Sequence, residues 1–129
     1  MLKVMQPTAL TSAMLVSASV PETDYPAWSA TTSYTTGARV MRTTTHRIYQ
    51  AIAAITGNAS NVAPELDTSN AQWVDIGPTN RWAMFDQRVS SRTVGTSAGL
   101  SVSIKPGRCN GVALMDMVYV SDFTLEVVW

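Results

Sequence analysis

Three short alternating segments, all within residues 27–86, constrain this chain more than anything else in it. Residues 37–42 set Val40 between Arg39 and Met41. Residues 47–53 alternate Ile48 and Ile52 with Tyr49 and Ala51, and residues 72–76 set Trp73 and Asp75 against Val74 and Ile76. Alternation over so few residues marks strands, and the Gly, Thr, Asn and Pro residues that bound them are turn formers. The expectation is a small three-stranded antiparallel module of roughly fifty residues, too small to bury a generous core. Trp28, Tyr34, Tyr49 and Trp73 must then supply much of its packing, at about 150–250 Å² each.

The texture after Asp86 is β without a helix signal. Residues 87–93 read as a polar strand, and 99–105 (GLSVSIK) as a half-buried one, with Leu100, Val102 and Ile104 on one face. Residues 106–111 (PGRCNG) are a turn. Residues 111–120 read as a central strand and 122–129 as an alternating one, with Phe123, Leu125, Val127 and Trp129 together. These are about four strands, where a closed sandwich takes about seven or eight. The segment is therefore expected to be a partial β-sandwich. Its missing sheet comes from a longer polypeptide or from a partner, and either leaves an edge to be covered.

Residues 1–24 precede the module. Lys3, a mildly apolar run and Ser17-Ala18-Ser19 have a faint look of an export signal, but Pro7, Thr8, Thr11 and Ser12 interrupt the apolar stretch. The preferred reading is an extended arm with Val4, Met5, Leu10, Met14, Leu15, Val16 and Val20 as its apolar contacts. Pro7 and Pro21 oppose a long helix, and a short turn near Thr11 or Ser12 is compatible with the pattern. A neighbouring subunit or the chain's own second domain would hold such an arm in place. The polar stretch 56–71 is expected to be a mobile surface loop.

Composition removes several function classes. Formal charge is zero and charged residues make up 14% of the chain, without a Lys/Arg block. A phosphate backbone needs clustered positive charge, so nucleic acid is not an expected partner. No stretch approaches the roughly 20 apolar residues of a membrane helix. Cys109 is the single cysteine, which excludes an internal disulfide and a cysteine-built metal site.

The residue types of catalysis are sparse. His46 is the single histidine, far from Cys109 in sequence and with no evident orienting group, so it reads as an exposed turn residue. One histidine and scattered carboxylates do not make a zinc site. Asp75 and Asp86 flank the Gly77-Pro78 turn, but turn-capping roles explain them more simply than a glycosidase pair. No cofactor is expected.

The pattern Trp28, Tyr34, Gly37, Val40, Tyr49-Gln50-Ala51, Pro64 and Trp73 resembles the small chitin-binding carbohydrate-binding modules attached to bacterial chitinases. Similar modules occur in bacteriophage tail proteins, followed there by a segment that stands here as Gly77-Pro-Thr-Asn-Arg-Trp-Ala-Met-Phe-Asp86. The resemblance implies a jelly-roll-like sandwich after the module. In the chitin binders a pair of exposed tryptophans follows the Tyr-x-Ala element. Ala53 and Ala54 occupy those positions here, so chitin binding does not carry over.

Trp28, Tyr34, Tyr49 and Trp73 are the candidates for a sugar-stacking face; the core is the preferred role of Tyr49 and Trp73, and the two roles are nearly even for Trp28 and Tyr34. Asn80, Arg81, Trp82, Phe85 and Asp86 are expected to form an interdomain joint: Asn80 holds a turn, Arg81 pairs with Asp86 or Asp75, and the aromatic residues clamp the module to the next sheet. The resulting expectation is a mostly β protein. It has an arm (1–24), a carbohydrate-binding-module-like domain (25–77) and a sandwich-like segment (78–129). What the resemblance implies is a non-enzymatic virion protein of the tail tip or baseplate, assembled in the bacterial cytoplasm. It would be present in multiple copies and contact other tail proteins. The rival expectation is a module that binds a host surface glycan.

Overall fold

A computed structural model describes residues 7–88, 90–108, 111–113, 117–118 and 124. The fold is mostly β, with two small antiparallel sheets among the described residues. Strand β1 is Leu15–Ala18, β2 Arg39–Arg42, β3 Arg47–Ala51, β4 Trp73–Pro78 and β5 Val102–Ile104; one short helix, α1, covers Asn80–Ala83.

The three-stranded sheet has the order β2-β3-β4. In the β2–β3 hairpin, Val40 faces Tyr49 and Arg42 faces Arg47, with Thr43 to His46 making the turn. His46 closes it at φ 57°, a left-handed conformation that histidine adopts more readily than most side chains. Between β3 and β4 the register shifts. Ile48 faces Gly77 and Tyr49 faces Asp75, so Ile76 is the extra residue of a bulge. Gly77 sits beside it at φ 144°, which a side chain would oppose.

Cross-strand pairs build the core on one face of this sheet: Val40 with Tyr49, and Ala51 with Trp73, joined by Ile55. Trp73 is 2% exposed. Tyr34 meets its indole edge-on, with ring centroids 5.1 Å apart, and Trp28, Tyr34 and Ala38 pack around the cluster. On β3 the inward residues are Tyr49 and Ala51, and Ile52 is exposed. The segment Pro26 to Trp28 covers the outer edge of β2 through Met41 N–H to Pro26 O (3.0 Å) and Trp28 N–H to Met41 O (3.1 Å). That blocks pairing with other chains along this edge.

Residues 56–71 are more ordered than their composition suggests. A 3-10 turn, Pro64–Leu66, buries Pro64, and the Asp67 carboxylate accepts N–H bonds from Gln72 (2.8 Å) and Trp73 (2.9 Å) at the start of β4. The carboxylate also accepts from Ser69 Oγ (2.7 Å). Desolvation opposes its charge, but these donors outweigh it and hold Asp67 down to about 2.

The N-terminal segment pairs with a strand of its own chain, more than eighty residues later. After a 3-10 turn at Ser12–Met14, β1 runs antiparallel to β5, with Leu15 opposite Ile104 and Ala18 opposite Val102. Ser19 N–H to Ser101 O (2.8 Å) and Lys105 N–H to Met14 O (2.7 Å) extend the ribbon. Val20 is buried, and Leu10, Met14 and Leu15 are half-buried. Val4 and Met5 lie outside the described residues. So does most of the two strands expected over 111–120 and 122–129.

No strand forms among the described residues of 87–93. Their polar side chains turn back onto α1 and its C-terminal end instead. Thr93 Oγ1 donates to Asn80 O (2.6 Å) and accepts from Met84 N–H (2.9 Å), and Ser91 Oγ donates to Asp86 (2.9 Å). The expected strand at 99–105 is present in its central part as β5, followed by a bend at Gly107 with φ 77°.

Candidate functional site

The β2–β3 turn, the end of β4, α1 and the N-terminal segment meet around a cleft of about 280 Å³. Thr79 follows β4 and is fully buried. Its N–H donates to His46 O (2.9 Å) and its hydroxyl to Glu22 Oε1 (2.9 Å), tying the hairpin turn to the segment entering the module. The next residue, Asn80, donates its N–H to Asp24 Oδ1 (3.0 Å) and exchanges two side-chain bonds with Val94, at 2.9 and 2.7 Å.

His46 stands at the centre of this junction. Its imidazole lies on the Trp82 indole, with centroids 3.9 Å apart and planes 17° apart. Nδ1 is 3.0 Å from Glu22 Oε1, and Nε2 is 2.7 Å from Ser12 Oγ. A carboxylate has no proton to give, so the Glu22 bond places a proton on Nδ1 and leaves Nε2 of the neutral ring to accept the Ser12 hydroxyl. The side chains of Glu22 and His46 are 7% and 18% exposed, and Ser12 is at the surface. The expectation of an exposed histidine without an orienting group is corrected here. Glu22 lies 24 residues earlier and Ser12 34 residues earlier, and nothing in the local sequence links either to His46.

Of the expected joint residues, Trp82, Phe85 and Asp86 line this cleft, while Asn80 and Arg81 do not. Phe85 meets Trp82 edge-on at 5.6 Å, and Arg81 Nε donates to Val20 O (2.7 Å). The carboxylates expected to pair with Arg81 are on Arg47 instead. Arg47 takes Asp75 through two donors, each at 2.8 Å at closest, and stands 4.0 Å from Asp86. The hydrogen bond to Asp75 holds the Arg47 guanidinium more firmly protonated. Position explains the exchange. Arg47 lies on β3 across from β4, whereas Arg81 on α1 lies against the carbonyl of Val20. Two buried polar atoms have no hydrogen-bond partner among the described residues: Trp82 Nε1 and Asp24 Oδ2.

The four aromatic residues considered for sugar stacking do not reach this cleft. Tyr49 and Trp73 are buried in the module core. Tyr34 donates its hydroxyl to Ser29 O (3.1 Å) and accepts from Ser29 N–H (2.8 Å). Trp28 is half-buried beneath Arg42, whose guanidinium carbon stands 5.1 Å from the ring centroid and which grips Glu65 at 2.7 Å. Among the described residues no group of three potential metal ligands assembles, and no helix is long and apolar enough to cross a membrane. Comparison of this chain with protein-family models, curated proteins and solved structures finds no match.

Proposed function

We propose that this chain is a structural protein of a bacteriophage tail tip or baseplate, joining the tail hub to peripheral or receptor-binding components. The observation that carries this reading is the exposed apolar surface of the β1–β5 ribbon, which has two strands among the described residues. Two strands alone are marginal in water, and a third strand or a covering element is needed for stability. Val16 is 64% exposed on one strand, and Leu100, just before the other, is 47% exposed. The segment that follows β1 is tied to the module through Val20, Glu22 and Asp24. The resemblance through residues 77–86 supplies the tail context, and the virion is the corresponding location.

Hydrogen exchange tests the assembly role. Amides of Leu15 to Ala18 should exchange readily in the isolated chain and be protected in assembled tails. Equal protection in both would remove it.

The second reading, recognition of a host surface glycan, rests on Trp28, whose half-exposed ring carries a cation on one face. Saturable glycan binding that Trp28→Ala abolishes without unfolding would favour it. No sugar retention by the folded chain would leave the assembly role.

A further inference from the structure

We infer that Ser12, His46 and Glu22 form a nucleophile, general base and orienting acid for the hydrolysis of short, neutral carboxylic esters. This goes beyond the assembly role and does not depend on it.

The geometry has the parts such chemistry needs, in the right order. A serine hydroxyl is a weak nucleophile until a base within about 2.6–3.2 Å takes its proton, and that base must itself be oriented by a third group. Ser12 Oγ to His46 Nε2 is 2.7 Å, and His46 Nδ1 to Glu22 Oε1 is 3.0 Å. Exposure rises along the relay, from Glu22 at 7% through His46 at 18% to Ser12 at the surface. The acid is thus shielded from water while the nucleophile faces the cleft.

The imidazole is also fixed beyond what a simple tether requires. Trp82 holds its face, Thr79 N–H holds its backbone carbonyl, and Thr79 Oγ1 holds the Glu22 carboxylate. With Nδ1 protonated toward Glu22, Nε2 presents its lone pair to Ser12, the tautomer a general base needs.

In the first step Ser12 Oγ bonds to the ester carbonyl carbon as its proton passes to His46 Nε2. The tetrahedral intermediate collapses with cleavage of the carbon–alkoxy bond, and His46 returns that proton to the departing alcohol. Water then attacks the acyl-serine, giving one proton to His46. The carboxylic acid leaves as Ser12 Oγ recovers the proton. Glu22 stays ionised throughout and compensates the imidazolium.

The cleft selects the substrate. Leu10, Pro78 and Phe85 line it with apolar surface for a short acyl group. Arg47 on this lining is already held by Asp75, and Asp86 beside it disfavours substrates that carry a carboxylate. At about 280 Å³ the cleft has room for an acetyl or butyryl ester.

The test uses the full chain with a fluorophosphonate probe, and with p-nitrophenyl acetate and butyrate. One adduct is expected, mapped to Ser12 by peptide mass spectrometry and absent in Ser12→Ala. Because Ser12 is at the surface, that variant should fold normally. Its kcat should fall at least about 10²-fold. Glu22→Gln, checked for folding by near-ultraviolet circular dichroism, should lower kcat with KM unchanged, which loss of a mere tether would not do. An unmodified Ser12, no turnover by the parent chain, or parent-level hydrolysis by Ser12→Ala would each overturn the inference.

Discussion

His46 and Trp82 lie face to face, 3.9 Å between ring centroids, and through them the β2–β3 turn rests on α1. One ring comes from a hairpin turn and the other from a helix of a single turn, and neither element is stable alone. The stack therefore contributes to both at once. Trp82→Ala should cost about 3–5 kcal/mol, the usual range for emptying a buried tryptophan site. Trp82→Phe keeps a stacking surface and should cost less than half as much. Urea unfolding of the two variants checks the ranking, and equal losses would show that the stack itself contributes little.

Glu22 and Asp75 both accept hydrogen bonds from their neighbours in this region, but their surroundings differ. Glu22 is 7% exposed and satisfies His46 and Thr79, whereas Asp75 is 40% exposed against Arg47. Removing a buried acceptor strands its donors, while an exposed ion pair is worth about 0–1 kcal/mol. Glu22→Ala should therefore destabilise by about 2–3 kcal/mol, and Asp75→Ala by no more than about 1 kcal/mol. Chemical denaturation of the two single variants provides the comparison.

Asp67 should appear in the acid limb of the stability curve. Its pKa is lowered to about 2 from an ordinary value of 3.8, so its contribution is complete above 3.8 and is lost as pH falls toward 2. Asp67→Asn keeps the shape but removes the charge that Gln72, Trp73 and Ser69 favour. The variant should lose stability at neutral pH and show a shallower decline between pH 4 and about 2. Denaturation midpoints measured across that interval decide the matter. Parallel curves would mean that other groups set the acid limb.

Gly57 marks a close backbone approach. A Cβ there would collide with the carbonyl of Thr31, a backbone atom that cannot swing aside. Gly57→Ala should cost about 1–3 kcal/mol and loosen the Ser29-to-Tyr34 turn, seen as faster amide exchange at Tyr34. Unchanged stability would show that the two loops separate easily.

The legible part of the fold was local. Val40, Tyr49 and Trp73 revealed their strands because alternation is written within five or six residues, and the positive φ of Gly107 agrees with the turn read from Pro106-Gly107. The inward face of β3 was less clear, since Ile48 and Ile52 compete with Tyr49 and Ala51 until Trp73 fixes which face is covered. Residues 87–93 misled because serine and threonine serve a strand face and a cap equally well, and Thr93 and Ser91 went to α1 and its C-terminal end. Tyr49 and Trp73 lie in the core as expected, and residues 80–86 converge at one junction. The centre of that junction was illegible, for Glu22 and Ser12 meet His46 solely through the tertiary fold.

The pairing of β1 with β5 has a consequence for the order of synthesis. Leu15 faces Ile104, so the N-terminal strand leaves the ribosome long before its partner strand exists. The module between them, held by neighbouring hairpins, closes few long loops and should fold first, while the late pairing waits for loop closure across nearly the whole described chain. Until then Leu15 and Val16 are a sticky leading end, the kind of exposed segment on which nascent chains aggregate. A pulse of hydrogen exchange during refolding would time the event: protection should come early at Ala51, and the weak protection of a two-stranded ribbon late at Ser17. Completion of the ribbon would then serve as the chain's own signal that its distal half has arrived.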